Sequence, residues 1–307
     1  MSLAAACERR DVGFTSQGLR CAAWQYVPAG LATGERRPAI VMAHGYSGVK
    51  EQYLENFARP FAEAGFVVLV FDYRFLGASE GEPRQQILWH EQINDYRNAI
   101  TWISMQPGVD ASRIGVWGTS YSGGHVMHLA AFDRRVKAVV AQVPAVSTWE
   151  SYFAALPAEQ IAQLSAWHAQ ARAERMRTGQ VLYAPVVAPP GQSAVMPQPE
   201  AHEWVTRAAG LAPNWENRVT VESLETGMYY DPTAYIHLIA PTPLLMIIAS
   251  DDIVTPTAEQ RRAFERAREP KSLSVVQARH FDPYEGPRHR EFLEPALAWF
   301  ARHLGGG

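Results

Sequence analysis

A serine stands at the centre of Gly118-Thr119-Ser120-Tyr121-Ser122-Gly123-Gly124, directly after the apolar run Ile114-Gly115-Val116-Trp117. Where a strand passes into a helix without a loop, a serine at the turn is held in a strained backbone region with its hydroxyl exposed, a nucleophile elbow. The turn closes only if the positions two before and two after carry almost no side chain. Gly118 meets the first requirement. The second position is Ser122 where the usual motif has glycine, which adds a hydroxymethyl group and a rival serine. Ser120 keeps the better register, because the expected strand ends at Trp117 and Gly118 fills the tight position. A serine hydroxyl attacks poorly unless an imidazole takes its proton, and that imidazole needs a carboxylate to fix its tautomer. Both partners must lie downstream, on loops at the carboxyl ends of later strands, where open α/β sheets place their ligands.

Ser250-Asp251-Asp252-Ile253-Val254-Thr255-Pro256 follows the run Leu244-Leu245-Met246-Ile247-Ile248-Ala249. Asp252, four residues before the proline that opens the next helix, is the candidate acid; Asp251, one residue earlier, and Glu150, just past the preceding strand, are alternatives. Ala278-Arg279-His280-Phe281-Asp282-Pro283-Tyr284 follows a further strand at 273–277, and 280 − 252 = 28 residues hold one helix and one strand. His280 is therefore the candidate base among ten histidines. His44 falls in the place of an oxyanion loop, His125 and His128 ride the helix after the elbow, and His90, His168, His202, His237, His289 and His303 follow no catalytic strand and read as packing or surface residues. The tetrahedral oxyanion needs preorganised donors. His44-Gly45-Tyr46-Ser47-Gly48 follows the strand Ala39-Ile40-Val41-Met42-Ala43, so the backbone amides of Tyr46 and Tyr121 are the candidate pair, with Gly45 and Gly48 allowing close backbone approach.

These residues need a scaffold. Residues 10–28 read as two strands around Ser16-Gln17-Gly18, an antiparallel edge hairpin. Short apolar runs at 39–43, 66–71, 114–117, 136–143, 244–249 and 273–277 then alternate with helical patterns such as Leu54, Phe57, Ala58 and Phe61. Runs that are apolar throughout belong to strands covered on both faces, so the expected fold is α/β, a mostly parallel sheet with helices on both sides. From 146 to 235 the rhythm breaks into aromatic-rich helical segments around Ala188-Pro189-Pro190-Gly191. We expect a helical cap at 146–235, inserted between core parts 1–145 and 236–307. Trp149, Tyr152, Trp215 and Tyr229 are its candidate substrate-binding residues, against a plain role in packing the cap. Arg172, Arg175 and Arg177 form either an anion-binding group or a solvated helix face.

Composition narrows the function further. With 28 Lys+Arg against 31 Asp+Glu, the formal charge is 28 − 31 = −3, and the chain lacks the basic excess that nucleic acid or anionic lipid requires. Hydrophobic residues make up 47% and charged residues 19%, leaving ample apolar mass for a large core. Cys7 and Cys21 are too few for a disulfide framework or a four-cysteine zinc site. The first ten residues lack the apolar stretch of roughly 7–15 that a secretory leader needs, and no run approaches the roughly 20 residues that span a bilayer. A soluble, cytoplasmic protein is expected. There is no H-E-x-x-H, no P-loop and no G-x-G-x-x-G opening a helix, so neither metal nor organic cofactor is expected.

The His44-Gly45 loop, the elbow and the segments that follow resemble the α/β-hydrolase superfamily over nearly the whole chain. Asp72-Tyr73-Arg74-Phe75-Leu76-Gly77-Ala78-Ser79-Glu80-Gly81 is similar to the D-x-R-G-x-G-x-S-x-G segment of the X-prolyl peptidase and cocaine esterase-like branch, and departs from it at Phe75, where that branch has glycine. Asn214-Trp215-Glu216-Asn217, Ala267-Arg268-Glu269-Pro270-Lys271 and His280-Phe281-Asp282-Pro283-Tyr284 are similar to bacterial relatives of the fungal polyketide thiohydrolases. The resemblance implies a Ser-His-Asp acyl hydrolase without cofactor, structural roles for Asp72 and Arg74, an acid that some relatives move to the position of Glu150, and a homodimer through the cap. Serine at the elbow separates the chain from the dehalogenases and epoxide hydrolases, whose relatives carry aspartate there. The expected reaction is cleavage of an ester, thioester, lactone or activated amide of a small acyl substrate through an acyl-serine. Acyl transfer by the same triad and a non-catalytic binder of the same fold are the alternatives.

Overall fold

A computed structural model describes residues 7–305; the amino-terminal stretch weighed as a leader lies largely outside them. Its strands are β1 (Cys7–Ser16), β2 (Leu19–Pro28), β3 (Arg37–Ala43), β4 (Val67–Phe71), β5 (Val109–Thr119), β6 (Val136–Gln142), β7 (Tyr183–Ala184), β8 (Val219–Thr220), β9 (Leu244–Ala249) and β10 (Lys271–Val276). Eight of them form one sheet in the order β1-β2-β4-β3-β5-β6-β9-β10, while β7 and β8 pair separately. The β1/β2 hairpin is antiparallel and joins β4 antiparallel; every other pairing in the large sheet is parallel.

The helices are α1 (Glu55–Glu63), α2 (Trp89–Ser104), α3 (Tyr121–Phe132), α4 (Ala158–Thr178), α5 (Pro199–Ala209), α6 (Val221–Gly227), α7 (Thr257–Arg266) and α8 (His289–Leu304). Alternate residues of β3 explain why its sequence is apolar throughout. Val41 and Ala43 face a core shared with Tyr96 and Ile100 of α2 and Met127 of α3, whereas Ile40 and Met42 face Phe57 and Phe61 of α1 and Phe292 and Phe300 of α8. Both faces are therefore covered, as expected of parallel strands. No helix among the described residues is long and apolar enough to cross a membrane. Cys7 and Cys21 are buried free thiols.

Several strand boundaries differ from the sequence reading, two of them beside the site. β5 runs on past Trp117, because Gly118 pairs with Ala43 and Ala141 and Thr119 pairs with Gln142, so the sheet delivers the chain to the very start of α3. β10 starts two residues early, at Lys271, as the edge strand beside β9. The departure at Phe75 also has a structural counterpart. Its φ is +72°, a left-handed backbone that favours glycine, and a side chain at Gly81 would collide with the Phe75 ring. A phenylalanine thus accepts the strained conformation and gains a ring contact over Gly81.

Between β6 and β9 lie a π-helical turn at Trp149–Phe153, then α4, β7, α5, β8 and α6. The only buried residue of α4 is His168. Its arginines resolve as a solvated face: Arg172 pairs with Glu225 at 2.8 Å, Arg175 with Glu222 and Arg177 with Glu174.

Candidate active site

Ser120 stands between the last residue of β5 and the first of α3 with φ +56° and ψ −120°, a conformation that costs about 1–3 kcal/mol and persists only when its surroundings impose it. Those surroundings are backbone: the Ser120 amide donates to Gln142 O at 2.9 Å, and Ser120 O accepts from the Ala145 amide at 2.9 Å. Gly118 is required here, since a Cβ at that position would overlap the Ser122 carbonyl group. Ser122 does not compete for the same place. It is fully buried, with Oγ 2.6 Å from the Tyr73 hydroxyl and 3.3 Å from that of Tyr96, which in turn donates to Trp117 O at 2.7 Å. The hydroxyl that replaces the motif's glycine hydrogen therefore closes a polar chain behind the elbow.

Three loops meet at Ser120. His280, in the loop after β10, is 1% exposed and its Nε2 lies 3.0 Å from Ser120 Oγ. Its Nδ1 lies 2.8 Å from Oδ2 of Asp252, in the loop after β9. A proton on Nδ1 donated to the carboxylate leaves Nε2 free to accept from the serine hydroxyl. Asp252 Oδ1 accepts the backbone amides of Val254 at 2.9 Å and Thr255 at 2.8 Å, and Oδ2 accepts from Gln260 Nε2 at 3.2 Å. The Thr255 hydroxyl sits 2.9 Å from the same Oδ2 and 3.0 Å from Val143 O. Such a carboxylate is fixed in direction before any substrate arrives. Asp251 instead accepts from its neighbour Ser250 on the surface, and Glu150 is exposed on a separate groove. Of the three carboxylates considered, Asp252 meets His280.

The loop after β3 passes on the other side of Ser120. Gly45 comes so close that a Cβ there would sit 3.0 Å from Ser120 Cβ. Among the described residues no hydrogen bond engages the amide of Tyr46 or Tyr121, and the two rings meet edge to face at 5.2 Å. The Tyr121 amide belongs to the first turn of α3, where the helix carries its positive end. The Tyr46 loop is anchored by a buried charge pair that the sequence reading did not contain: Lys50 Nζ donates to Asp72 Oδ2 at 2.7 Å, and the Lys50 and Ala78 amides donate to the same carboxylate at 2.7 and 3.0 Å. Arg74 is likewise committed to structure, with Nε 2.6 Å from buried Asp95. Burial holds the His44 imidazole below its ordinary pKa, and its Nδ1 lies 3.0 Å from Gly45 O.

Two cavities open from Ser120. The larger, about 550 Å³, is walled mainly by apolar side chains, among them Tyr152, Leu164, Trp167, Met196 and Leu224, with Tyr46 and Tyr121 at its Ser120 end. The smaller, about 40 Å³, adjoins His280, His44, Gln52, Trp204 and Trp215. A wider groove of 710 Å³ beside β2 touches neither Ser120 nor His280. Of the four aromatic residues expected at the substrate, Tyr152 lines the large cavity and Trp215 the small one, where its Nε1 donates to Ser47 O at 2.8 Å. Trp149 and Tyr229 line neither. They flank an outer groove with Glu150, Tyr229 at 63% exposed and Trp149 at 40%, whereas Tyr152, itself 37% exposed, borders the large cavity and donates its hydroxyl to Val254 O. Sequence reasoning passed over Thr255 and Gln260, which carry no motif, and Glu200, whose carboxyl is pushed up by burial although His280 opposes the shift.

Comparison with known proteins identifies the family and the fold. The chain is 31% identical over 298 residues to the polyketide transferase grgF of Penicillium sp., covering 96% of this chain and 97% of that one. The crystal structure of GrgF, an alpha/beta hydrolase, superposes with a TM-score of 0.84 at 28% identity, over 97% of this chain and all of GrgF. The quorum-quenching protein AidA of Acinetobacter baumannii is 33% identical over 252 residues, 80% of each chain, and the thiohydrolase aneE of Aspergillus aculeatus is 34% identical over 250 residues, 79% of this chain and 78% of its own. The model of the X-Pro dipeptidyl-peptidase (S15) family matches residues 17–282. This chain is an α/β-hydrolase and belongs to the X-Pro dipeptidyl-peptidase (S15) family.

Proposed function

We propose that the protein is a serine hydrolase that cleaves an ester, thioester, lactone or activated amide through an acyl-serine. The observation that carries this reading is the unbroken chain from Ser120 Oγ to His280 Nε2 at 3.0 Å and from His280 Nδ1 to Asp252 Oδ2 at 2.8 Å. Ser120 attacks the substrate carbonyl while His280 takes its proton, and Asp252 holds the imidazole in the accepting tautomer and stabilises the imidazolium. The unengaged amides of Tyr46 and Tyr121 bind the oxyanion. His280 returns the proton to the leaving group, which departs and leaves the acyl-serine. A water molecule then gives its proton to His280 as its oxygen attacks the acyl carbon, and the proton passes back to Ser120 as the acid leaves. In this reading residues 146–235 act as a cap whose inner wall holds the acyl chain in the 550 Å³ cavity, with Tyr152 against the chain and Trp215 on the opposite side.

The small cavity beside His280 supports hydrolysis. At about 40 Å³ it has room for a water molecule beside the imidazole. Acyl transfer is the second reading, favoured by the polyketide transferase name of grgF, which matches almost end to end. A cytoplasmic place fits the two free thiols. A fluorophosphonate probe tests the mechanism. Ser120 is labelled in the wild type and not in His280→Ala; a wild-type protein that stays unlabelled overturns the reading in favour of a binder. Turnover of a chromogenic ester with competing alcohols or thiols present yields acid alone, whereas a new ester or thioester product assigns transfer.

A further inference from the structure

We propose that Met196 is the partition that selects the nucleophile reaching the acyl-serine, its side chain setting how large a group can stand beside His280. The proposal rests on the acyl-hydrolase reading and deepens it. Of the residues that wall the two cavities opening from Ser120, three border both: Ser120 itself, Tyr46 and Met196. The first two belong to the core and carry the reaction, so Met196 is the one boundary residue that comes from 146–235. The backbone around it straddles the same line. The Val195 amide donates to Pro185 O at 3.0 Å and the Met196 amide to Val186 O at 2.9 Å. Pro185 and Val195 border the large cavity, and Val186 borders the small one.

His280 borders the small cavity and not the large one. General-base catalysis needs the attacking group within hydrogen-bond reach of the imidazole, so whatever attacks the acyl-serine does so from the small cavity. Its oxygen bonds the acyl carbon as its proton passes to His280 Nε2; the bond from that carbon to Ser120 Oγ breaks, and Oγ takes the proton back. Acylation by an ester is the same step run backwards, so a leaving alcohol occupies the place of an attacking one. At about 40 Å³ against about 550 Å³, this is the confined side of the site. Several of its other walls are tied in place. Trp204 stacks on Phe281 at 4.8 Å, Trp215 donates to Ser47 O, and the Tyr284 hydroxyl lies 2.9 Å from that of Thr119. Met196 is half-buried and its side chain is unbranched and flexible, so it is the wall that a substitution moves without touching the triad.

The test supplies wild type, Met196→Ala and Met196→Leu with one octanoyl thioester, so that every product comes from the same acyl-serine, and adds methanol, butanol or benzyl alcohol. In Met196→Ala the ratio of ester to acid formed with butanol and benzyl alcohol rises at least about tenfold above the wild-type ratio or its detection limit, while the methanol ratio moves less than about threefold. Met196→Leu, which keeps the volume, stays within about twofold of wild type for all three. Octanoyl esters of the same alcohols read the reverse step: kcat/KM for the benzyl ester over the methyl ester rises in Met196→Ala with the product ratio. Product ratios in Met196→Ala within about twofold of wild type for every alcohol, or a gain for methanol as large as that for benzyl alcohol, overturn the proposal and leave the hydrolase reading intact. Turnover of the thioester by Ser120→Ala at the wild-type rate overturns the hydrolase reading instead.

Discussion

Ser120 and Ser122 are two residues apart, and the geometry gives them opposite duties that a pair of alanine substitutions separates. Ser122 Oγ accepts from the Tyr73 hydroxyl at 2.6 Å and passes the bond on to Tyr96 and Trp117 O, within a region excluded from water. Ser122→Ala leaves the Tyr73 hydroxyl without a partner, a cost of about 1–3 kcal/mol, while the better helix propensity of alanine returns about 0.5 kcal/mol. A net loss of about 0.5–2.5 kcal/mol lowers the melting temperature by about 1–10 °C, taking 2–4 °C per kcal/mol for a large domain. Fluorophosphonate labelling and kcat/KM stay within about threefold of wild type, because no catalytic contact is touched. Ser120→Ala behaves in the opposite way. It keeps the strained backbone and the core, so the melting temperature changes little, whereas labelling vanishes and kcat falls by about 10⁴ or more. Differential scanning calorimetry and intact-mass labelling of both variants make the comparison. Loss of the label in Ser122→Ala with an unchanged melting temperature, or its retention in Ser120→Ala, would refute the assignment of the elbow.

Two further outcomes follow from buried charge. Asp72→Asn leaves the Lys50 ammonium, 3% exposed, with Glu51 alone, and lowers the urea-derived stability by about 3–5 kcal/mol. Lys50→Met added to it recovers most of that loss; a single variant within 1 kcal/mol of wild type would show that the pair does not anchor the loop. Burial holds His44, His125 and His128 below the ordinary histidine pKa, and His125 is locked between Gln92 Oε1 at 2.8 Å and the Tyr230 hydroxyl at 2.6 Å. The unfolded chain therefore binds more protons than the folded one below about pH 6.5. The stability contributed by these neutral rings is complete above that pH and is lost as the pH falls toward their depressed values, by at most about 1.4 kcal/mol per pH unit for each ring. Melting temperatures at pH 7.5 and 5.5 show the drop, and a temperature that is level or rises toward pH 5.5 contradicts it.

The frame was legible because parallel strands buried on both faces announce themselves as unbroken apolar runs, and β3, β4 and β9 read that way with no help from the rest of the chain. Ser120 and Asp252 were legible for a related reason, each following an apolar run within a few residues, while His280 follows the half-buried edge strand β10 and was legible by its spacing of one helix and one strand from Asp252. What escaped reading depended on contacts between distant segments. Nothing near Lys50 announces Asp72, and the left-handed backbone at Phe75 goes against its residue type. Trp149 and Tyr152 look interchangeable in a list of aromatics, yet the turn that carries them sets one on an outer groove and the other on the cavity that reaches Ser120.

The strand order carries one more consequence. Ser120 leaves β5, the loop of Tyr46 comes from β3 on one flank, and Asp252 and His280 come from β9 and β10 beyond β6 on the other. A carbonyl seated there with its oxygen toward the first flank and its departing group toward the second presents only one of its two faces to the hydroxyl. The site is thus handed, and a racemic ester bearing its stereocentre next to that carbonyl would be consumed one enantiomer ahead of the other.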